Sequence, residues 1–192
     1  MKQYLFFALN LLLALEGTSQ AKGDYMWQIG QNSHPQENPY ALSMVLDFNV
    51  LGINLDTFYR GMKMGYFNAS ISDVDGKLLV YSNGCQIKNG DHSNIPETMS
   101  LSPGETDFEW CLSNPSSGYP KFEGGLFISF FSDSIILLLH QRDYVLSNPT
   151  RIITDSLFYS SVQRDGDQYV LHEKTVPIVG DNLTDGNVEA VK

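Results

Sequence analysis

The sequence predicts an all-β chain built of antiparallel meanders, and three observations carry that prediction. Between Lys22 and Lys192 no apolar face recurs at helical spacing. Short runs rich in β-branched and aromatic residues recur along the same stretch. Asp75-Gly76, Asn83-Gly84 and Asp165-Gly166 are hairpin signals, because type I′ turns need positive φ at both central positions.

The elements follow in chain order. Met1-Lys2 is a small cationic start, and Tyr4 to Leu15 is an apolar run broken only by Asn10. Ser19-Gln20-Ala21 then places small residues at a cleavage site, so residues 1–21 read as a secretory signal peptide. The run is shorter than the ~20 apolar residues a bilayer span needs. Residues 22–192 remain as the folded segment.

Met44–Phe48 is the first β-prone run, and Asn68–Val74, Lys77–Ser82 and Cys85–Lys88 form a meander around two turns. In that register Ile71 faces Val80 and Val80 faces Ile87, one apolar ladder across three strands. Asn89 to Glu123, rich in Asn, Ser, Pro and Gly, reads as a long loop. Gly125–Phe130, Ser134–His140, Ser156–Val162 and Gln168–Leu171 make a second group, with Val162 facing Tyr169. Val176–Val179 contains Pro177, which lacks a ladder donor and so assigns this run to a sheet edge.

Two groups of about four short strands are antiparallel four-stranded meanders, the pattern of a β-propeller-like array. A blade takes about 40–50 residues, so the chain holds two blades plus the start of a third, an incomplete array. Gly186–Lys192 reads as a strand just beginning, which predicts a longer parent reading frame.

The hairpin from Ala69 to Gly84, ASISDVDGKLLVYSNG, resembles a stretch found in large exported proteins of Bacteroidetes. Those proteins look like β-propellers, and many carry a C-terminal type IX secretion sorting domain. Leu157–Val162, then Glu173-Lys174 through Gly186 to Ala190-Val191, resemble later segments of the same family in the same order. Phe127 to His140 lacks the family's proline-containing strand entrance, and no sorting domain lies within these residues. The resemblance implies an exported propeller-like scaffold and transfers no catalytic residue.

The formal net charge of −10 disfavours nucleic acid and anionic membrane surfaces. After signal cleavage no run is long enough to span a membrane; Ile135–Leu139 reads as a buried strand. Two cysteines in an exported chain, Cys85 and Cys111, predict one disulfide, worth roughly 3 kcal/mol in the chain-entropy model.

Asp73-Val74-Asp75-Gly76 resembles the start of a calcium loop, but Lys77 and Gly84 stand where the fifth and twelfth ligands belong. Asp47, Asp73 and Glu109 are formal candidates for glycosidase acids, with no spacing that singles them out. His34, His92, His140 and His172 are scattered, none at metal-ligand spacing. Nucleophile-elbow and phosphate-binding glycine motifs are absent, so no cofactor and no catalytic residue is assigned. Trp110, Tyr119 and Phe122 lie in or near the long loop, where exposed aromatics would stack on sugars or grip a partner, although core packing is the commoner fate of such rings.

The sequence therefore predicts an exported non-catalytic module that binds a protein or glycan. Part of a glycoside-active propeller, and a fragment without independent function, are the alternatives.

Overall fold

A computed structural model of the chain describes residues 25–30, 43–58, 61–113, 118–121, 124–147 and 150–183. The signal peptide expected at residues 1–21 and the strand expected at Gly186–Lys192 lie outside the described residues. The described chain is all-β apart from two short helical turns, and every ladder is antiparallel.

Three sheets form. The first holds β1 (Met26–Gly30), β2 (Ser43–Asp47) and β3 (Asn54–Phe58) in sequential order. The second holds β4 (Ala69–Ser72), β5 (Leu78–Ser82) and β6 (Ile87–Asn89). The third is a four-stranded meander of β7 (Gly125–Phe130), β8 (Ile135–Ser147), β9 (Thr150–Asp165) and β10 (Gln168–Leu183).

The second group expected from sequence forms as a four-stranded meander, with β10 at an edge as Pro177 requires. The first expected group is divided. The Met44–Phe48 run pairs with β1 and β3, and the hairpin region makes a sheet of three strands, not four.

The second sheet is the middle layer. Leu79, Val80 and Ile87 pack on one side against Phe127, Ile136, Leu138 and Val162 of the third sheet. Leu78 and Tyr81 point the other way, onto Met62, Met64 and Met26 of the first sheet's side. Tyr81 Oη also hydrogen-bonds to His92 Nδ1 at 3.0 Å, and the His92 ring stacks 4.1 Å from Phe58 of β3. All five residues of β5 are buried. A strand covered on both faces reads as a continuous apolar run, which is the character of Leu78–Tyr81.

The hairpin turns differ from the simplest reading in ways that local chemistry explains. Asp73 and Lys77 pair, so the loop is Val74-Asp75-Gly76, with Gly76 at φ 87°. Asp73 Oδ1 accepts from the amides of Asp75 (3.0 Å) and Lys77 (2.9 Å), fixing a three-residue turn instead of a two-residue one. A bulge between Ile71 and Ser72 then admits Leu79 as an extra residue, which restores Ile71 opposite Val80. It also sets Leu79 and Val80 into the same core.

At the second turn Val80 faces Asn89, and Ile87 faces Ser82, not Val80. The loop takes four residues because Asn83 Oδ1 accepts from the amides of Cys85 and Gln86, and Ser82 Oγ bonds to the Gln86 carbonyl. At the third turn Asp165 pairs with Gln168, so Gly166-Asp167 is the loop. Positive φ then falls on Gly166 (62°) and not on Asp167, the pattern of a type II′ turn. Tyr169 consequently faces Arg164, and Val162 faces Leu171 in the core.

β8, β9 and β10 run far past the expected bounds. Their pairing crosses a bulge at Asp155, where Arg142 Nε and Nη2 donate to the Asp155 carboxylate, each at 2.8 Å. Apolar periodicity lapses there, so hydrophobic pattern alone could not extend the strands.

Gly125, which starts β7, lies against the ring of Phe67 from the segment before β4. A Cβ there would lie 2.0 Å from Phe67 Cζ, an aromatic ring fixed in the core. Gly125→Ala is therefore expected to lower stability by about 1–3 kcal/mol, read from the urea midpoint at unchanged slope. An unchanged midpoint would show that Phe67 is not packed this tightly against β7.

Candidate binding surface

The long connection from β6 to β7 is packed onto the sheets. Gly90 N donates to the Leu79 carbonyl at 2.7 Å, and Asn89 Oδ1 accepts from Tyr169 N at 2.8 Å. Asp91 accepts from Ser93 and from Gln168 Nε2, and the Ser93 hydrogen bonds hold its carboxyl below the usual range. Thr98 Oγ1 accepts from Ile87 N at 3.2 Å, continuing the edge of the middle sheet with a side chain. Ile95, Leu101 and Cys111 complete the core beneath.

After Gly104 the chain makes one α-helical turn, α1 (Glu105–Asp107), and then a π-helical turn, Phe108–Leu112. Ser113 N closes the wide turn onto the Phe108 carbonyl at 2.9 Å. No helix was expected here, because a stretch this short carries no periodic signal. Thr106, Asp107 and Cys111 face inward, while Phe108, Glu109, Trp110 and Leu112 face out.

The Cys85–Cys111 disulfide fixes this turn, with 5.2 Å between the Cα atoms. It closes a separation of 26 residues, worth about 3 kcal/mol in the chain-entropy model. Its burial fits an extracellular protein. Among the described residues no helix is long and apolar enough to cross a membrane.

The outward side chains form an aromatic surface. Phe108 is 62% exposed, Leu112 49% and Trp110 37%. Trp110 meets the exposed Tyr66 edge to face, with ring centroids 6.3 Å apart. Tyr66 comes from the segment before β4, where Met62, Met64 and Phe67 are buried and hold the chain down.

Tyr119, one of the three candidate loop aromatics, takes the commoner fate of such rings and is a core residue at 1% exposure. Its hydroxyl accepts from Asp143 N at 2.8 Å, its amide donates to the Asn83 carbonyl, and burial pushes its hydroxyl pKa upward. It anchors the loop and presents nothing to solvent. Phe122 lies outside the described residues. Tyr66 and Phe108 escaped sequence reasoning; the FEWCL run around Cys111 was the available signal for Phe108.

Beneath the surface lies a buried polar network. Lys121 Nζ sits 3.4 Å from Asp143 Oδ1 and donates to Thr154 Oγ1 at 2.9 Å, while Thr106 Oγ1 donates to the Asp143 carbonyl. Asp107 is buried beside Ser100, and burial raises its carboxyl pKa. These groups secure the loop to β8 and β9.

The acids considered from sequence do not form one catalytic pair. Asp73 caps its own turn, Glu109 stands exposed on the π turn, and Asp47 binds the Asn49 amide at 2.8 Å. Asp47 does line an open cleft of about 440 Å³ together with Asp75, Lys77 and Asp91. Among the described residues no group of three or more His, Cys, Asp or Glu could hold a metal ion.

The histidines are dispersed. His34 lies outside the described residues, His172 is exposed, and His92 contacts Tyr81 and Phe58. His140 is fully buried between Ser102 Oγ (2.9 Å from Nδ1) and Ser160 Oγ (3.0 Å from Nε2). The two serine hydroxyls partner both ring nitrogens inside the core.

Comparison of the chain with protein-family models, curated proteins and solved structures finds no match.

Burial lowers the His140 pKa to about 3, so the folded protein keeps a neutral imidazole that the unfolded chain protonates below about 6.5. The associated stability is intact above pH ~6.5 and lost progressively as pH falls toward ~3. Between about pH 7 and 4.5 the expected loss from this residue is about 2–3 kcal/mol. Urea titrations of the parent and His140→Gln at both pH values should show that much less acid sensitivity in the variant. Equal sensitivity would mean that His140 is not buried neutral.

Proposed function

We propose that this chain is an exported, non-catalytic module that binds a glycan or a protein partner through the aromatic surface on its disulfide-anchored loop. In this reading the stacked antiparallel sheets are blades of a propeller-like array, in line with the resemblance to exported Bacteroidetes proteins. The observation that carries the binding role is the contact of Tyr66, from the segment before β4, with Trp110, which stands beside Phe108 and Leu112 on a turn fixed by Cys85–Cys111. Aromatic side chains held rigid at a surface lose little entropy on binding and offer both an apolar face and a polar tip.

The stacking of a middle sheet between two others supports the propeller-like reading, since blades also pack face to face. The buried disulfide supports export.

A glycoside-active module is the second reading, favoured by the convergence of Asp47, Asp75 and Asp91 on one cleft. Hydrogen bonds lower the Asp91 pKa, the opposite of what a general acid needs.

Glycan-array and pull-down screening followed by tryptophan-fluorescence titration tests the proposal. Trp110→Ala and Tyr66→Ala are each expected to weaken binding of the ligand found by about tenfold or more, with a stability loss of about 1–2 kcal/mol that leaves each variant folded. Unchanged binding in both variants would refute the aromatic surface. Saturable glycoside hydrolysis lost in Asp47→Asn would replace the binding reading with the enzymatic one.

A further inference from the structure

We infer that the aromatic surface takes a cation, the guanidinium of an arginine on an exposed segment of a protein partner. This rests on the binding role proposed above for that surface and names what the surface recognises.

The deciding feature is the order Phe108-Glu109-Trp110. The disulfide turns Cys111 inward. A helical turn advances about 100° per residue, and somewhat less in a π turn. Glu109, two residues before Cys111, therefore stands on the opposite, outward side of the turn, and it is exposed. Phe108 and Trp110 flank it, and Leu112 lies beside Phe108 four residues on. Glu105, four residues before Glu109, is exposed on the same side. The Tyr66 ring stands at 81° to that of Trp110, so the two rings form a corner beside the carboxylate.

This negative charge has no described counter-charge. Residues 105–112 carry no amide and no cationic side chain. The ion pairs among the described residues are Lys121–Asp143 and Arg142–Asp155, so neither Glu105 nor Glu109 is matched. Arg142 passes beside Gly104, but both Asp155 oxygens hold its guanidinium. Lys63, on the Tyr66 segment, forms an ion pair with neither acid.

A ligand that covers Phe108 and Trp110 also covers the carboxylate between them. Stripping water from that carboxylate without a counter-charge is costly. A neutral sugar or an apolar peptide would incur that cost, and an acidic glycan would add repulsion. A cation instead pairs with Glu109 and lies on the negative faces of the rings. Arginine fits better than lysine, because its flat guanidinium stacks on a ring while its N–H groups donate to a carboxylate. The net charge of −10 also steers a basic segment toward the chain.

Fluorescence anisotropy of a dye-labelled Gly-Arg repeat peptide, titrated with the full chain, tests the inference. Saturable binding is expected, weakened about tenfold or more when citrulline, the neutral isostere, replaces arginine. Trp110→Ala and Glu109→Gln are each expected to weaken it by about fivefold or more. Asp167→Asn removes the same charge at the far end of the third sheet and should change it by less than about twofold. No binding of the arginine peptide, equal binding of the citrulline peptide, or a Glu109→Gln effect no larger than that of Asp167→Asn would each overturn the inference. If a neutral ligand then still depends on Trp110 and Tyr66, the aromatic surface stands and only its cationic partner falls. If no ligand depends on those rings, both readings fall.

Discussion

Strand β5 is buried on both faces, and the other layers take their positions from it. One side of Leu78–Ser82 supplies Leu79 and Val80 to the core shared with the third sheet; the other supplies Leu78 and Tyr81 to the methionine cluster beside β1. A regular strand would send Leu79 and Val80 to opposite sides. The bulge opposite Ile71 and Ser72 turns both to the same side, so one short strand serves two cores. The Asp73 side chain that fixes the adjoining turn is thus a packing determinant as well as a turn residue.

The aromatic surface depends on that middle layer through the turn that follows β5. Gly84 sits where a Cβ would lie 2.6 Å from Tyr119 and 2.7 Å from Phe67, at φ 80°, so the turn is pressed into the core. Asn83 Oδ1 accepts from the amides of Cys85 and Gln86 and aims Cys85 inward at Cys111. From Cys111 the π turn projects Phe108 and Trp110 to solvent. Placement of the exposed rings thus runs from β5 through one capped turn and one disulfide, with Tyr119 and the Asp143 network bracing the far end of the loop.

Features governed by local chemistry were legible in the sequence. The absence of helical periodicity specified the all-β class, Pro177 placed β10 at an edge, and an even cysteine count gave the disulfide. Turn positions were legible, but their lengths were not, because Asp73 and Asn83 side chains accept backbone hydrogen bonds that a dipeptide rule ignores. β3 was missed because Asn54–Phe58 is almost wholly exposed and carries no buried alternation. The binding surface was half legible. Trp110 stood out by composition, while burial of Tyr119 and the approach of Tyr66 to Trp110 depend on contacts distant in sequence.

Native-state hydrogen exchange most directly tests the claim that β5 organises the molecule. The amides of Leu78–Ser82 should be among the last to exchange, and only through global unfolding, with the free energy given by urea denaturation. Exchange of those amides through a lower-energy opening, while the β8–β9 ladder stays protected, would contradict it. The third sheet would then be the stable unit and the middle sheet an attachment to it.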